Sequence, residues 1–490
     1  MNMKYWFSYN VFIFLYKWQL TQTPINQHLK MSKRMKKLVC IVMAGFFVFS
    51  AAMGQSSDSL SIRNIVNDIM KRGAAYENLR FLCKQVGPRL SGSPQGLKAV
   101  QETARMMKEM GADTVYLQEC MVPHWVRGEK EVAKVMLSNG KEYILEVAAL
   151  GNSVGSPKAG VTGKIIEVHS FQELEAVKED VKGNIVFYNY EMNASYIQTF
   201  KAYGEAGVYR SNGPSMAAKY GAVGVMVRSL ASNPDNHPHT GATRYNDSFP
   251  KIPAIAISTN DADYLSAALK NKSVTKGYFK TNCQMLEDVK SYNVVGEIRG
   301  SQFPDEIITV GGHLDSWDLA EGANDDGSGC VQSMELIRVY KALGIKPLRT
   351  IRAVMFQNEE NGLKGGTKYG ELAKADKKKY IFALESDAGG FVPRSFGITA
   401  NKEQTAKIFS WSQLFKEYGI SEFTVGGGGA DIGPLRPLGT VMAGLIPDSQ
   451  RYFDIHHAET DVFENVSRRE LHLGAGVMAG LVFLVDKYGL

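Results

Sequence analysis

A chain of 490 residues with 44% hydrophobic side chains has material for two to three domains with a proper core, which excludes a disordered or fibrous protein. The formal charge of +6 is concentrated at one end: residues 1–54 hold seven Lys or Arg and no acidic residue, leaving 49 basic against 50 acidic side chains, a net of −1. That balance excludes the broad positive field of a nucleic-acid binder, and five cysteines without close paired spacing exclude a zinc knuckle.

The first elements read as a leader. Ser32-Lys-Arg-Met-Lys-Lys37 is basic, Leu38–Phe49 is apolar, and Ser50-Ala-Ala-Met-Gly54 supplies small residues. This is the pattern of a secretory signal peptide cleaved near Gly54 and Gln55. The apolar run is shorter than the roughly 18 residues of a spanning helix, so no stable membrane insertion of the mature chain is expected. Met31 would be a natural start. The expected location is secreted or periplasmic.

Residues 55–121 read as helices with a short strand. Ala74–Cys83 is amphipathic, Val86-Gly-Pro-Arg-Leu-Ser-Gly-Ser-Pro94 is a turn, and Gln95–Met110 is a helix closed by Gly111. The texture changes from Val122. Lys164–Val168, Gly183–Tyr188, Gly221–Val227 and Ile252–Ile257 are short strands between glycine-rich turns, so residues 122–283 read as a β-rich insertion. His237-Pro-His239-Thr-Gly241 lies inside it and reads equally well as a surface loop or a substrate-facing one; neither histidine is assigned to a metal.

From residue 284 the chain resumes an α/β pattern. Tyr292–Glu297, Glu306–Val310, Thr350–Phe356 and Tyr380–Leu384 are apolar, β-branched runs that read as buried strands, and Val331–Tyr340 is a helix. The polar residues gather where the strands end, the usual place for active sites in open α/β sheets. Gly311-Gly-His-Leu-Asp-Ser-Trp-Asp318 leads on to Asp325-Asp326; Gln357-Asn-Glu-Glu-Asn361 and Glu385-Ser-Asp387 follow the next two strands; Phe453-Asp-Ile-His-His-Ala-Glu-Thr-Asp461 comes late. Carboxylates grouped at buried strand ends are costly without cations. His313 and Asp315 are two apart and do not easily reach one metal together. The expected division is His313 as ligand and the Asp315 carboxylate as acceptor of its ring N–H. Asp325 has two oxygens and can bridge two cations, and imidazole with carboxylates suits zinc. Val425-Gly-Gly-Gly-Gly-Ala-Asp431 lacks phosphate-loop spacing, so a nucleotide cradle is excluded, but such a loop lets backbone approach a ligand closely.

His-x-Asp, Asp-Asp, Glu-Glu, Asp and a late His, in this order, resemble the co-catalytic di-zinc exopeptidases, which include zinc aminopeptidases, glutamate carboxypeptidases and glutaminyl cyclases. The wording of Gly311–Asp318 resembles the carboxypeptidase Q group, and the likeness extends over most of the chain after about residue 60. It implies an α/β, mixed-sheet, phosphorylase/hydrolase-like catalytic domain split into 55–121 and 284–490. The 122–283 insertion would be a protease-associated lid. It also implies two Zn2+: one held by His313, Asp325 and Asp387, the other by Asp325, Glu360 and His457. His457 is preferred to His456 because it lies four residues before Asp461. Glu359 would be the general base, Asp315 would support the catalytic centre, and Asp431 with Gly429 would line the substrate pocket. The bond Asp325–Asp326 would be cis.

The expected activity is dipeptidase- or carboxypeptidase-like hydrolysis of dipeptides or short peptides by a water held between the metals. Its rival is aminopeptidase action. A catalytically inactive binding homologue is disfavoured because every ligand position and the base are filled. A one-metal glutaminyl cyclase is disfavoured because His313 is kept. The expected partner is a short peptide, and a homodimer is compatible with this reading. The disulfide that would close the neck of the insertion is Cys120 with Cys283.

Overall fold

The computed structural model describes residues 57–490; the leader read over residues 1–54 lies outside them. Eight strands form the main sheet: β1 (Thr114–Val126), β2 (Gln284–Ile298), β3 (Phe303–His313), β4 (Arg349–Phe356), β5 (Lys379–Glu385), β6 (Pro393–Thr399), β7 (Glu422–Val425) and β8 (Val441–Pro447). Their order across the sheet is β1-β2-β4-β3-β5-β8-β6-β7. The central four, β4, β3, β5 and β8, are parallel. β1 and β2 are antiparallel on one side, and β6 returns antiparallel to β8 on the other. The fold is mixed α/β.

The parallel centre follows from composition. Ile307–Val310, Ile351–Phe356 and Phe382–Leu384 are apolar runs, interrupted only by Thr309 and Arg352, and buried along their whole length. Strands of that kind need cover on both faces. One face is covered by the helices over 57–72, Ser328–Ala342 and Arg468–Tyr488, whose Ile62, Val331, Met334, Val477 and Leu481 share a core with Ile308, Val310 and Leu384. Arg468–Tyr488 is long and apolar enough to cross a membrane, but 78% of its apolar 18-residue window is buried in this core. Tyr369 and Ala373 of the helix Lys364–Ala375 pack on the opposite face with Val354 and Phe356.

Register sets the level of the loops. His313 lies opposite Phe356, and Gly311 opposite Glu385, so the chains leaving β3, β4 and β5 depart side by side. The Asp325–Asp326 peptide is cis, as the resemblance implies.

Residues 132–280 form two smaller sheets. Four antiparallel strands make one: Val132–Leu137, Glu142–Leu145, Val161–Gly163 and Val274–Lys280. The other has five strands, with Ile165–Val168, Ile185–Tyr188, Gly224–Arg228 and Ala254–Ile257 parallel. Parallel neighbours need crossovers, and helices such as Thr199–Ala218 supply them. The stretch is therefore α/β rather than built of strands and turns alone. Thr199–Ala218 escapes a sequence reading because it carries Gly204, Gly207, Gly213 and Pro214 and shows no apolar stripe.

The long β1/β2 ribbon leads into these sheets, and it corrects the expected disulfide. Cys120 pairs across to Ser291, while Gln284 pairs with Val126. Cys120 and Cys283 thus lie six or seven residues apart along the ribbon, roughly 20 Å at the rise of a strand, against the roughly 7 Å a disulfide tolerates. All four cysteines among the described residues are free and buried.

Candidate metal centre

The strand-end residues converge. His313 ends β3 with Nε2 at 3.1 Å from Asp325 Oδ1 and 3.3 Å from Asp387 Oδ1. His457 Nε2 is 3.2 Å from Asp325 Oδ2 and 3.2 Å from Glu360 Oε2. Two groups of histidine and carboxylate therefore share Asp325. His456 Nε2 is also near Asp325 Oδ2, at 3.4 Å, but it is His457 that pairs with Glu360. Its ring packs against Tyr452, Phe453 and Tyr203.

Both histidines at the centre of these groups point the same nitrogen inward. His313 Nδ1 lies 2.9 Å from the Asp315 carbonyl oxygen, and His457 Nδ1 lies 3.2 Å from the Thr240 carbonyl oxygen. A hydrogen on each Nδ1 donates to that carbonyl and leaves each Nε2 lone pair facing carboxylate oxygens. This corrects the expected role of Asp315. Its main-chain oxygen, not its carboxylate, takes the His313 N–H, because a residue two along a strand end brings its carbonyl closer; the carboxylate is 3.9 Å away. The Asp315 carboxylate instead accepts the backbone N–H of Glu359 at 3.1 Å.

The loop that carries Asp325 is fixed from three directions. Asp461 accepts from the backbone of Asn324 at 2.8 Å and of Asp325 at 3.0 Å. Asp326 accepts from the backbone of His313 and Gly329, at 3.0 and 2.9 Å. Its approach requires Gly312, where a Cβ would sit 2.4 Å from Asp326 Oδ2. The fully buried Arg89 donates to the carbonyls of Leu314, Glu321 and Gly322 at 2.5, 2.5 and 2.8 Å.

Burial and crowding set the electrostatics. Burial pushes Glu360 up to about 7, with Asp325 adding to it, and pushes Glu359 well above the carboxylate range. Burial also raises Asp387. Burial alone would raise Asp325 too, but His313 and His457 hold it well below its ordinary value. His313 and His457 rise well above the imidazole value against burial, because carboxylates face them. His456 falls well below, through burial and the neighbouring His457. Asp325 Oδ2 and Glu360 Oε1 are buried without a hydrogen bond. Nitrogen lone pairs and carboxylate oxygens at just over 3 Å, in a buried pocket with excess negative charge, fit divalent cations, and the donor types suit zinc.

These groups open onto a cleft of about 400 Å³, lined on the sheet side by Glu359, Glu360 and Asn361 and on the other by Asn152, Tyr203, Arg210 and Arg244. Asp431 and Gly429 are not in its wall. Asp431 is fully buried, Glu385 accepts from the backbone of Asp431 and Ile432, and a Cβ at Gly429 would run into the Glu385 carboxylate. The glycine loop is spent on packing over Glu385, behind the cleft.

Residues 293–482 match the model of peptidase family M28. Carboxypeptidase Q of Mus musculus is 35% identical over 413 residues, covering 84% of this chain and 85% of the relative. The chain belongs to peptidase family M28. It is a peptidase, and all the clustered side chains fall inside the M28 match. The crystal structure of a peptidase M28 precursor from Shewanella amazonensis is similar over 89% of this chain and 98% of that one, with TM-score 0.85 and 30% identity. A zinc aminopeptidase from Bacillus subtilis shares the fold, with TM-score 0.60 at 20% identity over 85% of this chain and 95% of that one.

Several residues of this M28 site are not apparent from the sequence. The segment His237–Gly241 grips the histidine loop: His239 Nδ1 is 2.6 Å from the His456 carbonyl, and Thr240 N–H donates to the His457 carbonyl at 3.0 Å. Trp317 and Asp318 anchor the 132–280 sheets. Trp317 lies on Gly151, where a Cβ would overlap its ring, and Asp318 takes two bonds from Arg127 at 2.8 and 2.7 Å. Arg89 sits in Gly87–Ser93, which reads as an interhelix turn and also resembles the family's opening segment, with no role for the arginine itself.

Proposed function

We propose that this M28 peptidase is a zinc exopeptidase that hydrolyses dipeptides and other short peptides, secreted or periplasmic in location. The observation that carries the reading is the pair of histidine–carboxylate groups sharing Asp325 beside Glu359. His313, Asp325 and Asp387 would hold one Zn2+; Asp325, Glu360 and His457 would hold the second. Bound zinc supplies Lewis acidity toward the scissile carbonyl and acidifies a water.

Glu359 is the general base. It lines the cleft without a place in either ligand group, so its carboxylate is free to take a proton from water and pass it to the leaving amine. The Asp315 carboxylate holds the Glu359 backbone in place. Adjacent residues leaving a strand point apart, which lets Glu360 bind metal while Glu359 carries the proton.

Residues 122–283 act as an inserted lid of the protease-associated kind. Asn152 supports this: its side chain exchanges hydrogen bonds with Asn361 across the cleft, at 3.2 and 3.4 Å. A roofed cleft favours short peptides over protein interiors. Metal analysis after zinc-replete purification should return two zinc ions per chain, and a panel of unblocked dipeptides should be cleaved. No more than trace metal, or no cleavage of any unblocked peptide, would overturn the reading.

A further inference from the structure

A third histidine is built like the two at the metal centre but stands apart from them. His239 Nδ1 lies 2.6 Å from the His456 carbonyl oxygen, a separation that requires the ring hydrogen on that nitrogen. Its Nε2 then carries a bare lone pair. That atom is buried, the side chain is 1% exposed, and no hydrogen bond reaches it. Burial pushes His239 down to about 3, so the ring is neutral and cannot answer a carboxylate as a cation. Yet its lone pair faces one, because Asp235 Oδ2 is 4.0 Å away. Two electron-rich atoms turned toward each other away from water call for a positive charge between them.

A second carboxylate stands beside this pair. Ser232 N–H donates to the Phe453 carbonyl at 3.2 Å, which lays the loop carrying Asp235 along Phe453 and Asp454. Asp454 Oδ1 is buried without a hydrogen bond. Burial raises Asp454 above its ordinary value, and Asp235 is the charge that adds most to the rise. Asp235 is held in place by its own loop: its N–H donates to Thr259 Oγ1 at 2.8 Å, and its Oδ1 accepts from the His237 N–H at 2.9 Å, which leaves Oδ2 for His239. The cations that act on the two carboxylates are engaged elsewhere. Arg451 lies 3.6 Å from Glu470, and His237 Nδ1 lies 2.7 Å from Glu459. Among the described residues no Lys or Arg comes within ion-pair distance of Asp235 or Asp454.

We propose that Asp235, Asp454 and His239 Nε2 form a further cation site, for a divalent transition metal such as Zn2+. Two carboxylates balance the charge of one divalent ion. The imidazole nitrogen selects zinc over calcium or magnesium, which take oxygen. None of the three residues lines the cleft, so the ion is structural. It would tie the loop over 232–239 to the loop over 453–457, which carries His457. The Asp235 side chain is 21% exposed, against 7% for Asp325, so this ion exchanges with solvent and leaves on desalting while the pair at Asp325 stays.

The test is a Zn2+ titration of desalted, zinc-loaded wild type, Asp235→Asn and Asp454→Asn, by calorimetry with elemental analysis and a thermal melt on each. Wild type should take up one further Zn2+ per chain and melt at a higher temperature for it. Each variant should bind that ion at least about tenfold more weakly, since affinity follows the count of charged ligands, and should keep the two tightly held ions. Ca2+ at equal concentration should not displace it; displacement would remove His239 from the ligands and overturn the proposal. Uptake unchanged in both variants would show an adventitious ion only and would also overturn it. Two tightly held ions with no further uptake would overturn it and leave the catalytic pair standing. One exchangeable ion alone, lost in Asp454→Asn, would support this site and overturn the catalytic pair.

Discussion

Replacing Arg89 by Met tests how the ligand loop is held. Arg89 is fully buried and donates to three carbonyls, of Leu314, Glu321 and Gly322, which bracket the loop between His313 and Asp325. Bonds from a charged donor contribute roughly 1.5–3 kcal/mol each, so three would give an upper bound of about 9 kcal/mol. Against this stands the several kcal/mol it costs to bury a guanidinium with no carboxylate beside it. Met fills much of the volume and removes that cost, but it leaves three buried carbonyls unpaired at about 1–3 kcal/mol each. The unpaired carbonyls should win, with a net loss of about 3 kcal/mol. Zinc should bind about 10–100-fold more weakly, the effect typical of losing a residue that orients metal ligands. Urea denaturation with and without chelator reads the first quantity, and competition with a chromophoric chelator reads the second. An Arg89→Met protein within about 0.5 kcal/mol of wild type, with unchanged zinc affinity, would refute this account of the loop.

Glu359→Gln should keep its zinc and fold and lose turnover by at least about 10²-fold; near-normal kcat would reassign the base. His457→Ala should lose zinc and His456→Ala should keep most of it, since only His457 reaches both Asp325 and Glu360; the reverse result in elemental analysis would exchange their roles. His472 lies on the buried face of the C-terminal helix, and burial holds it down to about 4 against an ordinary 6.5. The unfolded chain takes the proton first as pH falls, so this contribution is whole above pH 6.5 and is lost between about 6.5 and 4, by up to about 3 kcal/mol. His472→Gln should flatten the stability profile in that window, and an unchanged slope would show that another group titrates there.

Much of the sheet is legible because its centre is simple. Runs such as Ile307–Val310 and Phe382–Leu384 have one reading, and charged residues at their ends stand out against them. The carboxylates of Asp325, Glu360 and Asp387 were visible for the same reason. Depth was not visible. Asp431 and the glycines before it look like a ligand-facing loop, yet the structure folds them over Glu385, away from the cleft. The crossover helix Thr199–Ala218 lacks the periodicity that marks a surface helix, so the α/β character of residues 132–280 was hidden with it, and Arg210 with that.

The two central histidines show where the boundary of legibility falls. Each gives its Nδ1 hydrogen to a main-chain carbonyl and turns Nε2 toward the shared Asp325. For His313 the carbonyl is two residues away, and a partner at Asp315 follows from spacing, even though the atom is the carbonyl rather than the carboxylate. For His457 the carbonyl belongs to Thr240, which is 217 residues distant and lies among the smaller sheets. Main-chain oxygens carry no residue identity, so no motif could announce this contact. The consequence is physical. The ring of His457 takes its Nδ1 partner from the stretch that forms the smaller sheets, and Arg210 from the same stretch stands beside it. The second ligand group and the cationic wall of the cleft therefore meet at one contact, where His237–Gly241 lies on the His456–His457 loop.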